Sequence, residues 1–373
     1  MYCGNCGKEI EYGVPFCPYC GMDQTALKKR GVASRVVGGV ANQVESVIGG
    51  GRHVNLDFGH FFSEVRQRHT KDQAEQIFIY GTSTTTPPIQ QAGYQWRRPW
   101  LYSRILGVML LSLAGLLLVW TFFQNEYCLP GIMLLGAFAT PFATLVFFYE
   151  MNVPRNISFL EMLEDFFMGG VASIVLVYPL SFIIPGSGVG TFLPAMLTGL
   201  IEEVAKLVII AFVLHRSTEG RYILNGLLFG AAVGAGFASF ESAGYAFDAL
   251  LENGSSVAMM ANIIIRGLLA VGGHVAWSAV TGAALSIALR RGPFTFKVFG
   301  RPEFWGLFAI PVVCHGLWDW LLLVVAIPLV LAIWIVLLVL IRRGFLEVNT
   351  IAREMAAQAN SPQSSTPFTP RMP

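Results

Sequence analysis

The 373-residue chain has little charge. Lys, Arg, Asp and Glu together make up 13% of it, about half the usual share of a soluble domain. Hydrophobic residues reach 54% before the 39 glycines are counted, and the excess falls after residue 100. A large soluble core is therefore excluded in favour of a polytopic membrane protein. The N-terminus lacks a basic stub followed by an apolar run, so no signal peptide is expected and the segment ahead of the apolar runs is expected to stay in the cytoplasm. Gly-x-Ser-x-Gly does not occur, which argues against a serine nucleophile on an elbow. His-Glu-x-x-His does not occur either, which excludes an ordinary zincin.

Cysteine is sparse, yet four of the six stand at the start as Cys3-x-x-Cys6 and Cys17-x-x-Cys20. Gly7 and Gly21 follow the two pairs and let backbone amides turn towards thiolate sulfurs. Four thiolates in two such knuckles suit tetrahedral zinc, and a reducing cytoplasm disfavours two disulfides. Residues 1–24 are read as a minimal zinc ribbon with a structural Zn, too small to fold without the metal and open to a protein partner. Residues 25–99 read as a cytosolic juxtamembrane segment. Within it Asn55 to Tyr80 allows an amphipathic helix, and residues 82–93 look like open linker. The tail, residues 346–373, is expected to be largely disordered, above all where Ser, Pro, Gln and Thr dominate after Ala357.

Between them, residues 100–345 form the transmembrane domain of an all-α polytopic protein. About eight spans are expected, at 101–123, 130–149, 161–184, 192–214, 222–250, 258–289, 304–324 and 327–341. Arg97, Arg98, Arg155, Arg216, Arg221, Arg290, Arg291, Lys297, Arg301, Arg342 and Arg343 all fall in alternate connections or flanks. The connections Gln124 to Leu129, Pro185 to Gly190, Leu251 to Ser256 and Val325-Ala326 hold no lysine or arginine. This asymmetry supports eight spans with both termini inside.

Four spans carry groups foreign to lipid. The fourth has Glu202, Glu203 and Lys206; the fifth has Phe237 and Glu241; the sixth has His274, Trp277 and Ser278; the seventh has His315 and Asp319. Lys206 lies at i+4 from Glu202 and i+3 from Glu203, so it can touch both carboxylates. Neighbouring residues differ by about 100° around a helix, so one glutamate can face a reacting centre while the other holds the lysine. With a rise of about 1.5 Å per residue, Glu202 and His315 each lie about 15 Å from the outer ends of their helices, and Glu241 about 12 Å from its own. Structural ion pairing is the bland reading of the cluster. The acids and imidazoles outnumber what Lys206 can neutralise, and intramembrane acids are expensive when unpaired, which favours function. Arg266 is read as structural, snorkelling near the outer end towards Asp248 or Glu252. Gly226, Gly230 and Gly234 recur every four residues and mark a helix-packing face. Pro311 is expected to kink the seventh span. Cys128 and Cys314 are given no role.

Acids, histidines and water at membrane depth suit hydrolysis: a carboxylate takes a proton from water, which attacks a carbonyl while opposing groups hold the oxyanion. A metal held by Glu and His is also compatible with these ligand types. The ordered set Glu202-Glu203-x-x-Lys206, Phe237-x-x-x-Glu241, His274 with its following Trp-Ser and Gly282, and His315-x-x-x-Asp319 resembles the motifs of PrsW-type intramembrane proteases. These are related to the CAAX-processing and bacteriocin-processing membrane proteases. The resemblance covers roughly residues 100–345. It implies endopeptidase cleavage of membrane-protein substrates such as anti-sigma factors, in the plasma membrane of a prokaryote, with no nucleic acid involved. It also implies that Glu202 activates water and Glu203 supports it, that His274 contributes, and that His315 and Asp319 lie on the oxyanion side. Glu241 stands where the CAAX-processing relatives carry a histidine. Such families are described both as metallo and as glutamic proteases. Two carboxylates flanked by Lys206 favour the glutamic form, with a Zn in the membrane site as the alternative. A proton-coupled transporter or sensor, and a scaffold acting through its zinc ribbon, are the competing readings.

Overall fold

The computed structural model describes residues 62–91, 98–184, 188–217 and 222–359. The four ribbon cysteines lie outside these residues, as does most of the segment between the ribbon and the first span. Among the described residues the structure is almost wholly helical and contains no β-strand. A short helix, α1 (Lys71–Ile79), precedes α2 (Leu101–Phe123), α3 (Leu129–Met151), α4 (Phe159–Ile183), α5 (Phe192–Arg216), α6 (Ile223–Asn253), α7 (Ser256–Leu269) and α8 (His274–Leu289). Two last helices, α9 (Pro302–Leu321) and α10 (Val324–Gln358), complete the bundle.

Among the described residues, seven stretches are long and apolar enough to cross a bilayer: α2, α3, α4, α6, α7 together with α8, α9 and α10. α5 is the eighth expected span. It has 25 residues, but Glu202, Glu203 and Lys206 interrupt its apolar sequence.

α6 is the hub, buried along nearly its whole length. Its glycines explain how. A side-chain carbon on Gly226 would meet the Gly282 carbonyl, one on Gly230 the Ser278 carbonyl, and one on Gly234 the His274 carbonyl. α6 and α8 thus lie backbone against backbone. On its other side Gly236 packs on the Phe166 carbonyl of α4. Lipid tails are as apolar as leucine, so close dispersion contact of this kind, rather than water exclusion, holds helices together in a membrane. A second close approach, Gly199 against Gly316, joins α5 to α9.

Several expectations are corrected. The sixth span is not continuous: a 3-10 turn at Ala270–Gly272 and the non-helical Gly273 separate α7 from α8. The freed Val271 carbonyl is satisfied by the Trp334 indole of α10 at 3.0 Å, which is how broken helices survive at membrane depth. Pro311 lies within α9, and the non-helical backbone that separates α9 from α10 is at Leu321 (φ −132°, ψ 34°). α10 runs to Gln358 instead of ending near residue 341, because Phe345, Val348, Ile351 and Ala352 continue an apolar stripe and are buried. Glu347 within this extension accepts the Ile223 amide at 2.9 Å and caps α6. The stretch from Asn55 to Tyr80 is not one helix; its described part is a 3-10 turn, Ser63–Arg66, followed by α1. Residues 82–91 are not open linker either: Thr82, Thr85 and Thr86 close a turn with their hydroxyls, and Ile89 packs on the main core.

Candidate active site

All the acids and imidazoles singled out in the spans meet in one network. α5 contributes Glu202, Glu203 and Lys206, α6 contributes Phe237 and Glu241, α8 opens with His274, and α9 contributes His315 and Asp319. The two close helix contacts bring them together. α6 against α8 sets Glu241 beside His274, and α5 against α9 sets Glu203 beside His315.

Lys206 is fully buried, its Nζ 2.5 Å from Glu203 Oε1 and 2.8 Å from His274 Nδ1. The Phe237 ring lies 4.6 Å from the ammonium, and Trp277 lies 5.9 Å away. Two acceptors and two aromatic faces replace the hydration an ammonium loses in lipid. Among the described contacts Lys206 pairs with Glu203 and not with Glu202, so it does not bridge the two glutamates.

Glu203 Oε1 also faces His315 Nδ1 at 2.9 Å. The other ring nitrogen of His315 lies 3.5 Å from Glu202 Oε2 and 3.5 Å from Asp319 Oδ2. Trp277 stacks on the His315 ring with centroids 4.6 Å apart, and the His274 ring meets it edge-on at 4.9 Å. On the far side His274 Nε2 is 2.9 Å from Glu241 Oε2, and Arg266 donates to that same oxygen.

Exposure divides the network into a floor and a rim. Glu203, Lys206 and His315 have side chains at most 3% exposed. Glu202 at 12%, Asp319 at 15%, Glu241 at 16% and Arg266 at 28% form the rim. Glu202 Oε2 is buried and has no hydrogen-bond partner.

Arg266 was not legible as part of the site. It pairs with Glu241 and not with Asp248 or Glu252, because the break after α7 lets this helix lie across α6. One signal pointed to it: Glu241 needed a cation, and the nearest candidate, Lys206, was already matched to a glutamate. Ser278 is buried in the α6–α8 contact, where Gly234 packs on it, and stands apart from the acids. Cys128 and Cys314 are buried free thiols.

Glu202, His274 and His315 each offer a ligand atom, and these atoms lie within 4.8 Å of one another. Hydrogen bonding tests whether they fit a metal. His315 does: a carboxylate on Nδ1 leaves its Nε2 lone pair facing Glu202 and Asp319. His274 does not. An ammonium has only donors, so Lys206 claims the Nδ1 lone pair, and Nε2 must carry the proton given to Glu241. The three-residue set does not fit a metal while Lys206 holds His274.

Acids and imidazoles from four helices, gathered at membrane depth around a carboxylate edge left without a partner, define a membrane-embedded site for acid–base chemistry. Residues 127–342 match the model of a family described as PrsW family intramembrane metalloprotease, and the chain belongs to that family. A protein named Protease PrsW from Geobacillus kaustophilus is 28% identical over 200 residues, covering 51% of this chain and 80% of the relative. Another Protease PrsW, from Halalkalibacterium halodurans, is 28% identical over 211 residues, covering 54% and 92%. No solved structure matches. The match runs from just ahead of α3 into α10 and so contains every residue of the network.

Proposed function

We propose that this intramembrane protease hydrolyses a peptide bond of a membrane-protein substrate, of the anti-sigma-factor kind, with a water activated by Glu202. The carrying observation is the contrast between adjacent carboxylates: Glu203 Oε1 is bound by both Lys206 and His315, while Glu202 takes part in no hydrogen bond among the described residues and is 12% exposed at the rim. Glu202 Oε2 and His315 Nε2 lie 3.5 Å apart, close enough for one water seated beside the pair to reach both. Glu202 takes a proton from that water as its oxygen bonds to the scissile carbonyl carbon. A protonated His315 ring offers Nε2–H to the resulting oxyanion, with Asp319 steadying the ring. The C–N bond then breaks, and the amine nitrogen leaves with the proton held by Glu202. Glu203, Lys206, His274 and Phe237 keep the floor in register, and Glu241 holds His274 from the rim.

The test is cleavage of a reporter membrane protein in proteoliposomes. Glu202→Gln and His315→Ala should each lower turnover by about 10²- to 10⁴-fold, the usual worth of a general base or its partner. Wild-type turnover in both would overturn the reading.

One observation favours a metal-dependent alternative. With His315 neutral, Glu202, Glu203, Glu241 and Asp319 face, among the described residues, the two cations Lys206 and Arg266, so a divalent ion would balance the formal charge. Metal content separates the two. We infer that Cys3, Cys6, Cys17 and Cys20 hold a structural zinc in the cytoplasm. Serine at all four should remove bound metal and leave cleavage resistant to chelators. Stoichiometric metal surviving that replacement, with cleavage lost on chelation, would favour the metal mechanism.

A further inference from the structure

Arg266 is an arginine in a membrane-spanning stretch that the proposed reaction does not use. Its guanidinium meets Glu241 Oε2, its Nε donates to Ser242 Oγ at 3.0 Å, and the group lies 4.3 Å from the Tyr245 ring. These three partners stand at i, i+1 and i+4 of α6 and make one strip of that helix. The side chain turns to α6, with its Nε and one terminal nitrogen bound there.

The carboxylate oxygen that takes Arg266 also takes His274 Nε2 at 2.9 Å. Arg266 belongs to α7 and His274 opens α8, so both arms of the broken helix end on one oxygen of α6. From there the contacts run on without a gap. His274 meets Lys206, Lys206 meets Glu203, and Glu203 meets His315.

We propose that Arg266 is a positioning residue of the protease site: it fixes the Glu241 carboxylate, which fixes the His274 ring, which in turn seats Lys206 on Glu203. This rests on the protease reading given above. Without Arg266, Glu241 would be a largely buried anion left with His274 among the described contacts, a strongly unfavourable state. Relief would come from turning the carboxylate or the imidazole, and either motion removes the acceptor that Lys206 needs. Lysine is a poor replacement. The planar guanidinium serves Glu241 and Ser242 together, which a single ammonium on a flexible stem does not. Arg266 sits at the far end of the chain of contacts from Glu202 and His315, so its loss should slow the chemical step and leave substrate binding largely alone.

The test uses the full-length protein in proteoliposomes, with kcat and KM measured separately for a reporter membrane protein. Arg266→Gln should lower kcat about 10- to 100-fold, as for other groups that orient a reactive residue, with KM changed by less than about twofold. Arg266→Lys should fall between it and wild type. The double variant Glu241→Gln with Arg266→Gln should be no slower than the slower single variant, since both remove one interaction. Wild-type kcat in Arg266→Gln with a lowered Tm, or losses that multiply in the double variant, would reduce Arg266 to a structural tie and overturn the proposal. Should Arg266→Gln fail to fold, wild-type kcat in Arg266→Lys overturns it instead. Glu202→Gln in the same assay reports on the underlying reading: cleavage by that variant overturns the protease mechanism, whereas the Arg266 results bear on positioning alone.

Discussion

Glu202 and Glu203 are neighbours in sequence with opposite surroundings. Glu203 is fully buried, and one of its oxygens faces both Lys206 and His315. Removing its charge leaves a buried ammonium without its counter-ion, which should destabilise the fold by about 3–5 kcal/mol. Glu202 holds nothing in place, so Glu202→Gln should stay within about 1 kcal/mol of wild type. Thermal unfolding in detergent should therefore show a much lower Tm for Glu203→Gln and little change for Glu202→Gln, although both lose cleavage. Equal Tm values would remove the distinction between a holding and a reacting carboxylate. The angle of about 100° between neighbouring residues made a division of roles legible, since two adjacent carboxylates cannot face one point. Spacing alone did not say which glutamate holds Lys206; the family resemblance was what assigned water activation to Glu202. The holding role of Glu203 is decided by α9, which reaches α5 at Gly199 and Gly316 and so puts His315 on Glu203. Arg266 stayed hidden for a related reason: its partner depends on a helix break that hydropathy does not mark.

At the level of elements, the glycine repeat on α6 announced a packing face but not what packs there. The partner is α8, whose carbonyls at Ser278 and Gly282 lie where side-chain carbons would otherwise stand. Because His274 is the first residue of α8, this contact sets the depth and angle of an imidazole in the site. Gly230→Ala should push the helices apart, destabilise the protein by about 1–3 kcal/mol as overpacking does, and slow cleavage. Gly244→Ala, on the same helix, meets open space. It should be neutral or stabilising by up to about 1 kcal/mol, because alanine is the better helix former. Tm and turnover measured on the pair check this; a Gly230→Ala protein with wild-type values would show that α8 is not held by that contact. The first span's limits were read closely from apolarity: it was expected at 101–123 and is found there. Apolarity could not reveal the break at 270–273, since Ala270-Val271-Gly272-Gly273 is as apolar as the helices it separates.

For the whole molecule, α5 decides the topology. Glu202, Glu203 and Lys206 interrupt its apolar sequence, and counting it as a span makes the number of crossings even. Only then do Arg155, Arg216, Arg290, Arg291, Lys297, Arg301, Arg342 and Arg343 share one face, while the connections without lysine or arginine share the other. With seven crossings, the basic segments after α5 would fall opposite those before it, against the bias that orients membrane proteins. The site depends on the same count. Glu202 is ten residues from Phe192, the first residue of α5, or about 15 Å along a crossing helix and so near the middle of the bilayer. Single cysteines placed in a background free of the native ones should make the arrangement visible. Asn253→Cys, at the end of α6, should react with a membrane-impermeant maleimide in intact cells. Gly292→Cys, in the basic connection after α8, should react only once the membrane is opened. Labelling of both from the same side would show that α7 and α8 do not cross together. The reverse pattern, with Gly292→Cys labelled first, would place the basic face outside and remove the ground for putting both termini in the cytoplasm.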